Sequence, residues 1–167
     1  VNIEWGNYYA LVIGNNKYEN LDPLDTAIND ATQVAETLKN KYGFKVDVIK
    51  NAKRENIYEK LIEYRSLLTQ NDYLLIYYAG HGEQDFLSKE GYWQPVEAEF
   101  KKPYTWISNS EILTQLRAIN AKHIIVIAES CCSGSMLKKR GDDCGEGEMP
   151  ENKLGLEKVY QKKNKKI

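Results

Sequence analysis

A chain of 167 residues with 42% hydrophobic and 28% charged residues has the size and balance of one folded domain, neither disordered nor membrane-embedded. No apolar run approaches the roughly eighteen residues of a membrane span, and a formal net charge of -1 gives no electrostatic case for binding nucleic acid. The three cysteines, Cys131, Cys132 and Cys144, suit neither a disulfide framework nor a structural zinc, and no secretory signal opens the chain, so a reducing cytoplasm with free thiols is expected.

Taken in order, Tyr8 to Gly14 is almost continuously apolar and closes on Asn15-Asn16, the pattern of a central strand. After a loop holding Asp22-Pro23, Ala27, Ile28, Ala31, Val34, Ala35 and Leu38 recur at helical spacing, and Tyr42-Gly43 supplies the stop. Phe44 to Ile49 alternates, as a strand near a sheet edge does. A second helix carries Ile57, Leu61, Ile62, Leu67 and Leu68, and Asn71-Asp72 turns into the apolar run that ends at Gly80-His81-Gly82. Strands alternating with helices predict a parallel sheet with helices on both faces.

From Gly82 to Pro103 the periodicity fades, and Gly91-Tyr92-Trp93-Gln94-Pro95 reads as a loop or short hairpin. Ser108 with Glu111 three residues on is a capping box, and Ile112, Leu113, Leu116 and Ile119 give the next helix its buried stripe. His123 to Ala128 is the fourth strand, delivering Cys131 at its end. Residues 138–152 are glycine-rich and acidic beyond a basic start, the composition of a mobile loop, and Leu154, Leu156, Val159 and Tyr160 suggest a last helix.

Two strand ends carry chemistry. An unassisted cysteine is mostly thiol at neutral pH, whereas the thiolate is the nucleophile, so an imidazole beside it changes its reactivity. If the strands ending at His81 and Cys131 are neighbours, the two groups meet above the sheet edge and His81 can activate the thiol or protonate a leaving amine. Gly80 and Gly82 would permit backbone angles that bring main-chain N–H groups to the substrate, with those of Gly82 and Cys131 as an oxyanion hole. Against this stands a plain alternative: a strand-cap histidine and a cysteine acting as a small buried hydrophobe.

The segments Tyr77-Tyr78-Ala79-Gly80-His81-Gly82 and Glu129-Ser130-Cys131-Cys132-Ser133-Gly134 resemble the histidine and cysteine motifs of the caspase-like cysteine peptidases of clan CD, closer to metacaspases and bacterial caspase-like proteins than to animal caspases. Ala10 to Asn15 and Ala27-Ile28-Asn29-Asp30-Ala31 resemble that family's first strand and first helix, and the 50-residue step from His81 to Cys131 is the family's own. The resemblance implies a three-layer α/β caspase–haemoglobinase-like fold whose last strands fall outside this chain, and a single catalytic domain over 1–167 corresponding to the large subunit, with 138–152 as a processing-type loop. It also implies a second subunit or C-terminal remainder that completes the sheet. Two departures stand out: Glu129 where the family usually has Asp, and Ala79 where metacaspases often have Ser. Cys132-Ser133-Gly134 also fits part of the animal motif, so Cys132 competes with Cys131 for the nucleophile role.

By the same resemblance Glu129 and Asp30 bind an Arg or Lys side chain before the scissile bond, since carboxylates complement a guanidinium and repel an acidic side chain. For Asp30 the alternative is a helix N-terminal preference. Cleavage of protein substrates after Arg or Lys is therefore expected, with self-processing at Lys138-Lys139-Arg140; the alternative function is an inactive caspase-like module that binds or regulates a partner. No cofactor or metal is called for. Asp142 and Asp143 could take calcium but match no known loop spacing. Trp93, Tyr92 and Trp106 are expected to shape the loop over the cleft rather than stack on bases.

Overall fold

The apolar runs become the inner strands of one sheet. The structure is a computed structural model that describes residues 6–85, 87–88, 90–132 and 160–161, with the backbone alone at 131, 132, 160 and 161. Its elements are β1 (Tyr8–Gly14), α1 (Ala27–Tyr42), β2 (Lys45–Lys50), α2 (Arg54–Leu67), β3 (Tyr73–Gln84), β4 (Gly91–Trp93), a 3-10 turn (Pro103–Thr105), β5 (Ile107–Ser108), α3 (Asn109–Arg117), β6 (His123–Cys132) and β7 (Tyr160–Gln161). β2, β1, β3 and β6 run parallel in that order, and β4 and β5 extend the sheet antiparallel from the far end of β3.

Alternation along the strands divides the core in two. Ala10, Val12, Tyr77 and Ala79 pack with Ala27, Ala31 and Ala35 of α1. Leu11, Ile13, Leu74, Ile76 and Tyr78 face the other way, against Ile57, Leu61 and Tyr64 of α2 and Ile112 and Leu116 of α3. Helices on both faces are what buried parallel strands require. The fit of α1 is close: a Cβ on Gly14 would stand 2.8 Å from the Ala31 Cβ and 2.9 Å from the Ala27 carbonyl oxygen. Small residues on both surfaces thus bring the first turn of α1, with Asp30, up to the ends of β1 and β3.

Local signals explain the boundaries. Gly43 ends α1 in the left-handed region, at φ 70°, donating its N–H to the Leu38 carbonyl. At α3 the Glu111 N–H donates to Ser108 Oγ (3.0 Å) while the Ser108 N–H donates to Glu111 Oε2 (2.8 Å), the reciprocal cap read from sequence. β2 lies at the sheet edge, as its alternation predicts.

Several expectations change. Ile62 and Leu67 of α2 are about half exposed, because the buried stripe follows Ile57, Leu61 and Tyr64 at i, i+4 and i+7. Trp93 stacks on Tyr78 (4.5 Å, 11°) and is a core residue, as is Trp106, which meets Tyr92 edge-on. The fourth strand runs through Cys132 instead of stopping at Ala128. Tyr160, expected in a helix, lies in β7, whose antiparallel pairing with Ile125 and Val126 covers part of the outer edge of β6. The loop at 138–152 and the helical pattern at 154–159 lie outside the described residues. No helix among the described residues is long and apolar enough to cross a membrane.

Candidate active site

β3 and β6 pair over ten consecutive positions, from Tyr73 opposite His123 to Gly82 opposite Cys132. Within that ladder His81 is the register partner of Cys131, and Ala79 that of Glu129. Alternation puts 77, 79 and 81 of β3 and 127 and 129 of β6 on the face covered by α1. The strand pairing thus makes neighbours of two residues fifty positions apart in the chain.

His81 is 2% exposed and held at several points. Its main-chain N–H donates to the Tyr18 hydroxyl (2.7 Å), and the two rings lie 4.5 Å apart. Its main-chain carbonyl accepts from the Tyr78 hydroxyl (2.7 Å). The ring Nε2 is 2.8 Å from the Asp22 carbonyl oxygen. A carbonyl only accepts, so Nε2 carries the proton. Among the described residues the buried Nδ1 has no hydrogen-bond partner, which leaves a lone pair there in the neutral ring.

The glycines around His81 serve space, not backbone angle. Gly43 is the one glycine with positive φ among the described residues, so Gly80 and Gly82 hold strand conformations. A Cβ on Gly80 would come within 2.7 Å of the Tyr18 hydroxyl and 2.8 Å of the Tyr78 hydroxyl, and one on Gly82 within 2.5 Å of the Ser130 Cβ. Burial raises the pKa of Tyr18 and, more strongly, of Tyr78, so both phenols stay protonated. Gly82 lies opposite Trp93 of β4 as well as Cys132 of β6.

Glu129 is exposed, and its Oε2 accepts a hydrogen bond from the buried Tyr77 hydroxyl (2.6 Å). Burial raises the Tyr77 pKa, and the charges of Glu129 and then Asp30 push it further up. Of the two predicted substrate-binding carboxylates, Glu129 bonds the phenol directly, whereas Asp30 on α1 acts on it through its charge alone. A separate cavity of about 280 Å³ opens on the opposite face, lined by Gly82, Trp93, Ile112, Leu116, Val126 and Ser130. Neither His81 nor Glu129 borders it, so volume and chemistry do not coincide here.

Sequence reasoning missed Tyr18, Tyr77, Tyr78 and the Asp22 carbonyl. The tyrosine pair had a signal: period-two alternation sends adjacent tyrosines just before Gly80-His81-Gly82 to opposite faces of the strand. The 15–26 loop had none, since its contact with His81 is made by the backbone of one residue and the side chain of another. Among the described residues no group of His, Cys, Asp and Glu is arranged to hold a metal ion.

The family model described as Caspase domain matches residues 7–166, and the chain belongs to that family. A crystal structure of a Geobacter sulfurreducens protein, a structural-genomics target, superposes with a TM-score of 0.62 at 19% identity, over 78% of this chain and 53% of the other. The likeness is one of fold, and this chain spans about half the length of that one. No curated protein matches the sequence.

Proposed function

We propose that the domain, residues 1–167 acting as one unit, is a cysteine endopeptidase that cleaves protein substrates after Arg or Lys. The reading rests above all on the register of His81 with Cys131, joined to an imidazole whose Nδ1 has no hydrogen-bond partner among the described residues and can act as base. Membership of the caspase-domain family supports the reaction type.

In this reading Nδ1 of His81 takes the proton of the Cys131 thiol, and the thiolate sulfur forms a bond to the substrate carbonyl carbon. The main-chain N–H groups of Gly82 and Cys131 are the proposed donors to the resulting oxyanion. Collapse breaks the C–N bond, and the imidazolium returns its proton to the leaving amine. Water, deprotonated by the same nitrogen, then attacks the thioester carbonyl; the C–S bond breaks, the imidazolium returns its proton to the sulfur, and the product acid leaves with the Cys131 thiol restored. The Asp22 carbonyl accepts from Nε2–H throughout and steadies the imidazolium, as a carboxylate does in a triad. Glu129 and Asp30 take the basic side chain. A reducing cytoplasm suits a free thiol, and self-cleavage at Lys138-Lys139-Arg140 would follow from the same specificity.

Fluorogenic peptides ending in Arg, Lys or Asp, incubated with the wild type and with Cys131→Ala and Cys132→Ala, test the proposal. Turnover of the Arg and Lys peptides that only Cys131→Ala abolishes is expected; turnover surviving in Cys131→Ala would overturn it. Intact mass after incubation tests self-processing, which fails if wild type and Cys131→Ala keep the same uncut mass. An inactive, partner-binding module is the second reading. It is favoured by Glu129 in place of the usual Asp and by the chain spanning about half of its structural neighbour, and it gains if no peptide is cut.

A further inference from the structure

We infer that Tyr77 is a positioning residue for substrate specificity: its buried hydroxyl fixes the carboxylate of Glu129 so that the site prefers a guanidinium over an ammonium group. The inference rests on the proposed basic-residue specificity and assigns it a part that neither carboxylate provides alone.

Glutamate reaches one methylene further than the aspartate usual at this position and has one more rotatable bond to restrain. At an exposed strand end an unrestrained Glu129 would spread over several rotamers. The Tyr77 hydroxyl removes that freedom with a 2.6 Å bond to Oε2. Its own ring is 4% exposed and packed in the α1-side core, so the anchor does not move with the carboxylate. Oε1 accepts no hydrogen bond among the described residues and stays available, while Oε2 keeps a further lone pair.

Orientation matters unequally to the two basic side chains. A guanidinium presents a planar fork and gains most from a carboxylate held at a fixed angle, whereas an ammonium is a point charge with rotatable donors. The phenol also adds no negative charge, because burial and the two neighbouring carboxylates keep it protonated. Asp30 adds negative charge near that phenol without a hydrogen bond to it, so it does not share the restraint. Loss of the hydroxyl should therefore weaken Arg more than Lys, and affect binding more than turnover.

The test compares wild type and Tyr77→Phe as full chains. For peptides ending in Arg, KM should rise about fivefold, with kcat changed less than about twofold and a smaller KM effect for Lys, so that the Arg-to-Lys ratio of kcat/KM falls. Benzamidine, titrated calorimetrically into the Cys131→Ala background, should bind about fivefold more weakly when Tyr77 is Phe. In a Glu129→Asp background the shorter carboxylate leaves the hydroxyl without its acceptor, and Tyr77→Phe should then change neither quantity. A variant-free reading comes from NMR: benzamidine should shift the Tyr77 Cζ resonance in the otherwise native chain. An unchanged ratio and unchanged benzamidine affinity in Tyr77→Phe, or an unmoved Tyr77 resonance at saturation, overturn the positioning role alone. A wild type that neither cuts after Arg or Lys nor binds benzamidine overturns the basic specificity, and this inference with it.

Discussion

Nε2 of His81 and the main-chain oxygen of Asp22 stand 2.8 Å apart, and this contact decides which ring nitrogen can work as a base. Because the acceptor is a carbonyl, no side-chain substitution at 22 removes it, and the tautomer is set by the path of the 15–26 loop. In the neutral imidazole, nitrogen-15 correlation spectra should show a protonated Nε2 and a pyridine-like Nδ1. The opposite assignment would remove His81 as acceptor of a thiol proton at Nδ1.

Tyr18 provides the acceptor for the main-chain N–H of His81. Tyr18→Phe keeps the ring against the imidazole and removes only the oxygen, leaving a buried N–H without a partner. The expected loss is about 1–3 kcal/mol of stability in urea unfolding. A variant as stable as the parent would mean that the N–H finds another acceptor.

Gly82 and Ser130 lie on adjacent strands, with no room for a methyl group between them. Gly82→Ala should cost about 1–3 kcal/mol through overpacking. Ser130→Gly in the same chain should recover part of it, giving a favourable coupling in the range of about 0.5–3 kcal/mol measured for residues in contact. Strict additivity of the two changes would show that backbone conformation, not space, requires the glycine.

Acid stability should depend on Asp72. Its carboxylate, 3% exposed, accepts from the Asn7 N–H (2.7 Å), the Thr69 N–H (2.8 Å) and the Thr69 hydroxyl (2.9 Å). Burial alone would raise its pKa, but the N–H groups of Thr69 and Asn7 and the Thr69 hydroxyl outweigh it and the value falls below the ordinary 3.8. The unfolded chain therefore takes up this proton first as pH drops. The stabilisation is complete above about pH 4 and is lost as pH falls through the lower folded value. Asp72→Asn should lower stability at pH 7 and flatten its decline below about pH 4 in denaturant titrations. An unaltered acid slope would place the titrating group elsewhere.

The strands β1, β2, β3 and β6, their parallel direction and the helices between them were legible because buried strands leave continuous apolar runs that turn residues punctuate; their order in the sheet was not. The capping box at Ser108 and the glycine stop at Gly43 were readable because each is a local interaction among adjacent residues. Less accessible was anything made by elements distant in sequence. The hold of Tyr18 and Asp22 on His81 depends on how one loop folds over another strand's end, and no periodicity records that. Glu129 was singled out as a substrate-binding carboxylate, but its bond to Tyr77 requires knowing which β3 residue lies diagonally across the ladder. The reason for Gly80 and Gly82 was misread for a related cause: a sequence shows that a side chain is missing, not which neighbouring atoms need the space.

At the opposite end of the β3–β6 ladder, the His123 ring stacks on Tyr73 at 5.5 Å, and the Lys122 N–H donates to the Asp72 carbonyl. These contacts act as an alignment mark about 26 Å from His81, counting eight residues at about 3.3 Å each. The apolar stretch from Ile124 to Ile127 would tolerate sliding by two residues, since its greasy surface repeats. Such a slide could bring Glu129 instead of Cys131 opposite the imidazole and exchange a nucleophile for a counter-ion. The aromatic pair, remote from any bond to be cut, thereby helps decide which side chain the histidine meets.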